Sequence, residues 1–487
     1  MTPACPFLPG LETTLSGRAR AKVTAHIDAK LRYLRRAPIA QFGRIFGAFI
    51  PDALVRPTSS GPHSRRRKFP LPVIFWAFLS QMLSPRTSCR ETLRKVMAWC
   101  ACRGLPLPSA NSAAYCKARR RIPLDVLRAV FTRVASILEQ RLSRHDAWHG
   151  RRVLIPDGTG LSMPDTRTNQ KTFPQPSGQK KGCGFPVVKL VGLFSLASGA
   201  LLGWAQGTLT QHDGTLWRSL WHLILPGDIL LADRGFSSYA SLALLIARGA
   251  DAVFRLHQGR AKPHLSKHQH ECHVTWYKPK PLASWPAKIW RALPDTLHLR
   301  IIRYRITHPG FRTTTVFLVT TLLDADRYPA EDLADLYLRR WSVELFFRDI
   351  KTSMRMDILA GKSPAMVRRE IIMFAIAYNL IRAVMQDAAN AYHLDLSRLS
   401  FKGTADALRQ WSDPCLIDRS HPRRCARLYA QLLAIIALDT VPLRPGRAEP
   451  RAVKRRPKSY NLLNKPRHSM YVPPHHNRPH SRPRLAA

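Results

Sequence analysis

The sequence predicts an α/β protein: a central sheet with helices before and after it, and a β-rich segment set into it. Three observations lead there. Between residues 150 and 256, strand-length apolar runs are spaced by helical patterns. From 258 to 328 the runs are strand-like only, and on either side of the whole region apolar residues recur at helical spacing. At 487 residues, 45% of them hydrophobic, the chain has room for roughly two to four domains and a sizeable core.

The charge is far from balanced. Lys and Arg number 77 against 31 Asp and Glu, a net charge of +46. Such an excess repels itself unless an anionic partner neutralises it. Nucleic acid fits that partner best, with an anionic membrane surface second. No run of eighteen apolar residues is present, so no membrane span is expected. The opening MTPACPFLPGLETT lacks the cationic and apolar regions of a signal peptide. Nine cysteines are scattered and odd in number; Cys100-x-Cys102 and Cys116 read as reduced thiols, which points to a reducing cytoplasm.

In chain order, residues 1 to about 145 read as basic and helical. Apolar residues recur at helical spacing through 15–54, and 57–69, PTSSGPHSRRRKF, is a cationic linker. Helices are expected at Leu71–Met82, Arg90–Cys102, Ser112–Arg121 and Pro123–Leu142, with Ser109 or Ser112 capping the third. These basic helices could read DNA ends or only position phosphates.

The pattern then changes. Arg152–Pro156 is a short strand running into PDGTG. Pro186–Leu196 and Leu201–Leu209 are two more, joined by Ser198-Gly199. Thr215–Leu225 is a helix, Asp228–Ala232 a strand, Ser237–Ala247 a helix and Asp251–His257 a strand. This β-β-β-α-β-α-β order, with acids at strand ends, is that of an RNase H-like core. The β-rich residues 258–328 interrupt it before a helix at 337–351. Within them His264, His268, His270, Cys272 and His273 fit a solvated loop better than a metal site. Arg368–Ala388 is a long apolar helix that closes the core, and 395–440 is helical. From Arg444 on, Pro, Arg, Lys and His dominate, so the tail is expected to be disordered without a partner.

Acids are scarce, which makes a few of them conspicuous. Asp157 follows RRVLIP and precedes GTG. It is expected where the strand leaves the sheet into a flexible turn, free to reach a metal without being buried unpaired. Asp165, in MPDT, is a rival that fits a turn. Asp233 directly follows ILLA, with Gly235 for a tight turn and Phe236 as its anchor. A helix cap or an ion pair with Arg234 is the structural alternative. Asp228, in PGD, reads as a turn residue, and Asp213 as a helix cap.

A third acid lies in YLRRWSVELFFRDIK, Tyr337–Lys351. On a continuous helix at about 100° per residue, Tyr337, Arg340, Glu344, Arg348 and Lys351 share a stripe roughly 80° wide. Leu338, Val343, Leu345, Phe346 and Ile350 lie outside it and can pack. The stripe suits a polyanion beside a metal; plain salt bridging along Arg340, Glu344 and Arg348 is the alternative. If three carboxylates converge they repel and need cations, and hard oxygen ligands select Mg²⁺ or Mn²⁺. Lys180 and Lys181, with Gln179 in the loop PSGQKKGCGFP, are a further DNA-contact candidate or simply solvated.

The spacing Tyr337-x2-Arg340-x3-Glu344-x6-Lys351 resembles the C-terminal catalytic signature of the IS4-family DDE transposases at all four positions. DGT at Asp157 and DRGF at Asp233 resemble the contexts of that family's other two acids. The resemblance covers roughly Arg151–Ala388, and IS4-type transposases carry a β-rich insertion at the same place. It implies a catalytic, metal-holding triad of Asp157, Asp233 and Glu344. It also implies two Mg²⁺ or Mn²⁺ ions that activate a water or 3′-hydroxyl and stabilise the leaving oxygen. Arg340 and Lys351 would hold phosphates beside the scissile bond, and Tyr337 would meet the backbone or a displaced base. Arg348 is added to the DNA contacts as a member of the stripe.

The expected activity is cut-and-paste DNA transposition: cleavage at terminal inverted repeats and 3′-hydroxyl transfer into target DNA by a dimer on DNA. An inactive DNA-binding repressor and a metal-dependent nuclease are the alternatives; the intact triad speaks against the first, and the large insertion and basic flanks against the second. The expected organisation is a basic helical DNA-binding domain at 1–148, the first part of the core at 149–257 and the β-rich insertion at 258–328. The acid-bearing and closing helices follow at 329–390, a helical region at 391–443 and the basic tail at 444–487.

Overall fold

The computed structural model describes residues 46–441, apart from 48, 56–68, 86, 103–105, 262–264, 266–268, 282–284, 306–314 and 412–421, together with 463–466, 469 and 470. Most of the expected helical stretch at 15–54, all of the linker but Phe69, most of the tail, His264 and His268 lie outside the described residues.

Among the described residues, four α-helices precede the sheet: α1 (Leu71–Leu83), α2 (Cys89–Cys102), α3 (Ala113–Arg121) and α4 (Leu124–Gln140). The start of α3 is held by neither predicted serine. Asn111 Oδ1 accepts from the Ala113 N–H at 2.9 Å, and Ser109 in turn accepts from the Asn111 N–H.

Eight strands form one sheet in the order β3-β2-β1-β4-β5-β8-β7-β6. They are β1 (Val153–Ser162), β2 (Val187–Ser195), β3 (Leu201–Gly207), β4 (Ile229–Ala232), β5 (Asp251–Arg255), β6 (Glu271–Tyr277), β7 (Thr296–Arg305) and β8 (Thr315–Thr320). β1, β2 and β3 form an antiparallel meander, and β4 and β5 follow parallel to β1. This is the predicted RNase H-like arrangement. The β-rich segment does not fold apart from it. β8 pairs antiparallel with β5, and β7 and β6 extend the same sheet outward.

Between strands lie α5 (Arg167–Thr172) and α6 (Tyr239–Ala247); after them come α7 (Ala330–Arg339), α8 (Ser342–Arg348), α9 (Pro364–Tyr392), α10 (Phe401–Trp411) and α11 (Pro422–Leu438). The helix predicted over Thr215–Leu225 is instead one α-turn, Asp213–Leu216, continued by a 3₁₀ segment, Trp217–Leu223. Its indoles bury against α6 on one face of the sheet. The other face shares a single core with α1, α4 and α9.

α9 is long and apolar enough to cross a membrane, yet 94% of its most apolar window is buried inside the protein. Its polar residues explain why it stays there. Asn379 brackets the first residue of β3, accepting from the Leu201 N–H at 3.0 Å and donating to its carbonyl at 2.9 Å. Tyr378 and Arg382 donate to the carbonyls of Gly199 and Ser198 in the β2–β3 turn. Gly199 sits at φ +66°, and a Cβ there would collide with the Arg382 guanidinium. Asp228 is more than the expected turn residue. It is 3% exposed and accepts two bonds from Arg152, at 2.9 and 2.6 Å, pinning the entry of β4 to that of β1.

Asn379→Ala leaves the N–H and C=O of Leu201 buried without partners. It is expected to cost about 3 kcal/mol in denaturant unfolding; a loss below about 1 kcal/mol would show that the helix does not hold this strand.

Candidate active site

β1 does not end at Pro156. It runs on through Asp-Gly-Thr-Gly to Ser162, paired with β2 along its length, Asp157 opposite Gly192. Asp157 is therefore a strand residue and not, as expected, a turn residue. It is nonetheless reachable, because pairing with β4 stops at Leu154–Leu230 and the edge beyond is open. The β1–β4 pairs are offset by 76 residues. Carried three residues further, that offset aligns Asp157 with Asp233, the residue after β4. The β4–β5 register in turn aligns Asp233 with Arg255, the last residue of β5. Two acids and a cation thus stand in one row, where β4 and β5 end and β1 runs on past them, on the side of the sheet where α/β proteins bind ligands. Asp233 Oδ1 accepts from the Gly235 N–H at 2.8 Å, and Phe236, 3% exposed, anchors the turn as expected.

The helix predicted over Tyr337–Lys351 is not continuous. α7 ends at Arg339, and α8 starts at Ser342 after a tight turn in which Val343 and Glu344 bond three residues back, to Arg340 and Trp341. The Arg340 guanidinium, buried, lies 5.0 Å over the Trp341 ring. α8 is fixed from below: Phe346 and Phe347 pack on Phe194 of β2, with ring centroids at 5.6 and 5.1 Å. That leaves Glu344 exposed. After α8 the backbone widens into a π-turn, Asp349–Ser353, a feature often found at functional sites. It brings Lys351 down to β1, where its Nζ donates to Thr159 Oγ1 at 3.0 Å. The single stripe is therefore split: Tyr337 and Arg340 stand before the break, Glu344 after it and Lys351 on the π-turn. Arg348 falls outside, exposed, with Nη2 4.0 Å from Asp349 Oδ1.

Electrostatics tie the parts together. Burial pushes the Asp157 carboxyl up to about 6; the Gly158 N–H and Arg340 oppose this, while Asp233 and Glu344 add to it. Asp157 therefore feels both other acids and the arginine. Burial pushes Tyr337 up to about 12, against Arg340 and Arg255.

Sequence reading missed several neighbours. Arg255 and Tyr304 flank Tyr337 and Arg340; burial raises Tyr304 strongly, and its hydroxyl has no hydrogen-bond partner among the described residues. Thr159 was in view within DGTG, but its role depends on a lysine far along the chain. Arg255 could have been found from its place directly after an apolar strand. Asp213 is the first residue of its turn, with His212 as the cap. Its carboxylate pairs with Lys189 at 3.0 Å and lies over Gly158, where a Cβ would come within 2.8 Å of Oδ2. Asp165 accepts from Gln170, as a turn residue does. Lys180 and Lys181 are exposed on a loop organised by Gln175, which bonds the backbone of Gln179, Lys180, Gly182 and Gly184.

The model of the transposase DDE domain family matches residues 148–380, the stretch that holds this sheet, the acids and most of α9. The transposase InsG of insertion sequence IS4 from Escherichia coli is 28% identical over 81% of this chain and 88% of its own length. The chain carries a transposase DDE domain over this core and is similar to transposases of the IS4 type. A probable transposase of IS5377 from Geobacillus stearothermophilus is 22% identical, covering 61% of this chain and 73% of the relative. A cryo-EM structure of piggyBac transposase in a synaptic complex with hairpin DNA aligns over 82% of this chain and 85% of that one, at 10% identity and a TM-score of 0.42.

DDE transposases use divalent metal ions as a family, and three carboxylates are donors of the hard kind that Mg²⁺ or Mn²⁺ takes. Among the described residues, no three His, Cys, Asp or Glu side chains stand close enough together to ligate an ion. The donor chemistry fits, then, while the carboxylates are not gathered to ligand distance; Arg340 is the positive charge that Asp157 feels.

The raised Asp157 carboxyl means that the folded protein holds this proton more tightly than the unfolded chain. The cost of burying the anion is absent below about pH 4, grows as pH rises and is complete above about pH 6. Asp157→Asn removes it. In EDTA at pH 7.5 the variant is expected to be more stable than wild type by about 2 kcal/mol in thermal unfolding, with no difference near pH 4. Equal or lower stability at pH 7.5 would contradict the burial account.

Proposed function

We propose that this transposase moves its element by cut-and-paste transposition, with Asp157, Asp233 and Glu344 as the acids that act on the scissile phosphate. The observation that carries this is the register that aligns Asp157 with Asp233 beyond the last β1–β4 pair, with Glu344 and Arg340 near enough to act on the Asp157 carboxyl. The three carboxylates would hold Mg²⁺ or Mn²⁺, two ions in the working site, whose chemistry is to activate the attacking oxygen and stabilise the leaving one in an in-line displacement.

The remaining groups belong to the chain. Lys351, steadied by Thr159, would bind a phosphate on the β1 side. Arg340, its Nε without a partner among the described residues, would bind one on the α7 side. Tyr337, kept neutral by burial, would donate its hydroxyl to the DNA backbone or stack against a displaced base. Arg348, Lys180 and Lys181 are exposed and would add phosphate contacts further out. The partners are the inverted-repeat ends of the element and its target DNA, held by a homodimer in the bacterial cytoplasm.

The test is cleavage of a linear DNA that carries the element and its flanks, with Mg²⁺. Wild type is expected to break it at the element ends and to yield joined products. Glu344→Gln is expected to lose at least about a hundredfold in rate while retarding the same DNA equally. Cleavage by Glu344→Gln at the wild-type rate would remove Glu344 from the chemistry. Breaks without joining would favour a nuclease.

A further inference from the structure

We propose that Cys89 and Cys116 form a peroxide-reactive dithiol in the N-terminal helices, with Cys89 as the attacking thiolate and Cys116 as the resolving thiol. The proposal stands apart from the reading of the active site.

Cys89 is the first residue of the 14-residue helix α2, at the positive end of its dipole. Two donors point at its sulfur: Arg119 Nη2 at 3.3 Å and Gln81 Nε2 at 3.8 Å. Arg119 is only 8% exposed. Its Nη1 donates to Gln81 Oε1 at 2.9 Å, its Nε has no partner among the described residues, and the rings of Phe78 and Tyr115 cover it at 4.9 and 5.2 Å. A buried guanidinium needs an anion beside it, and the Cys89 sulfur is bonded to it.

Cys116 lies on α3 one turn before Arg119, on the side of the helix whose guanidinium reaches the Cys89 sulfur, and is near enough to act on that thiol. Cys116, then Arg119 and Gln81, bring Cys89 down to about 5 against the effect of burial. The same contact raises Cys116. Tyr115 and, from α9, Glu370 are the other titratable groups near Arg119, and burial raises both. Cys89 and Cys116 are partly exposed, whereas Cys100 and Cys183 are buried. An accessible thiolate next to a second thiol is the arrangement of a redox-reactive pair.

The chemistry balances with a hydroperoxide as oxidant. The Cys89 thiolate attacks the distal oxygen, the O–O bond breaks, and Cys89 becomes a sulfenic acid as alkoxide or hydroxide leaves. Cys116 then attacks the Cys89 sulfur; the S–S bond forms, and the sulfenic oxygen departs as water with the Cys116 proton. Two electrons pass from the two thiols to the peroxide.

The test uses the full-length protein freed of reductant. Brief iodoacetamide pulses from about pH 6 to pH 8.5 are followed by mass spectrometry of each cysteine peptide. Cys89 is expected to react at a rate that changes less than about threefold across this range, while an ordinary thiol slows about tenfold per pH unit. Arg119→Lys, which keeps the charge, is expected to retain the flat profile. Hydrogen peroxide is expected to link Cys89 to Cys116, and in Cys116→Ser to leave a Cys89 sulfenic acid that dimedone traps. A Cys89 profile that slows like an ordinary thiol, or peroxide treatment that leaves Cys89 unoxidised or paired elsewhere, would overturn the proposal.

Discussion

Two residue pairs, Val153–Ile229 and Leu154–Leu230, join β1 to β4, and the layout of the candidate active site follows from them. Their register aligns Asp157 with Asp233 just past the last pair, where the strands have parted and left an open edge. A slip of one residue would turn one of the two side chains to the opposite face. The pairing is short, and bonds behind it hold it. Arg152 grips buried Asp228 at the entry of β4, and Arg151 pairs with Asp251 at the entry of β5. Like charges gathered at the far end oppose one another, and burial of Asp157 adds to that cost. Stability built at one end of these strands therefore offsets a strained arrangement of charge at the other.

Much of this was legible in the sequence, because the signals were local. ILLA followed by Asp-Arg-Gly-Phe announces a buried strand and a tight turn, and the structure has both. The order of strands and helices around it gives the RNase H-like core. What stayed hidden depends on partners distant in sequence. Asp-Gly-Thr-Gly reads as a turn, yet β2 offers a ladder that carries β1 through it; β preference depends on neighbours more than on composition. The inserted strands read as an interruption, but β8 finds the free edge of β5. The helix at 337–351 contains no Gly or Pro to mark its break. Its buried arginine, the adjacent tryptophan and the phenylalanines seated on β2 accompany it. Cys89 and Cys116 lie on different helices, so their contact could not be read from spacing.

The charge excess acquires a structural meaning as well. Several of the chain's 31 acids are occupied inside the protein: Asp228 with Arg152, Asp251 with Arg151, and Glu370 on the backbone of Ala360 and Gly361. The rest are far outnumbered by the 77 lysines and arginines. A surface of that kind attracts DNA through its phosphates without reading sequence, with an affinity that falls steeply as salt rises. Sequence-specific choice of ends must come from other contacts.

The most direct measurement of the central claim is anomalous scattering from Mn²⁺ in crystals of the transposase with DNA of its element ends. The account predicts manganese held between Asp157, Asp233 and Glu344, with Lys351 and Arg340 on phosphates beside it. Manganese bound at other residues in a complex that still cleaves its DNA would contradict it.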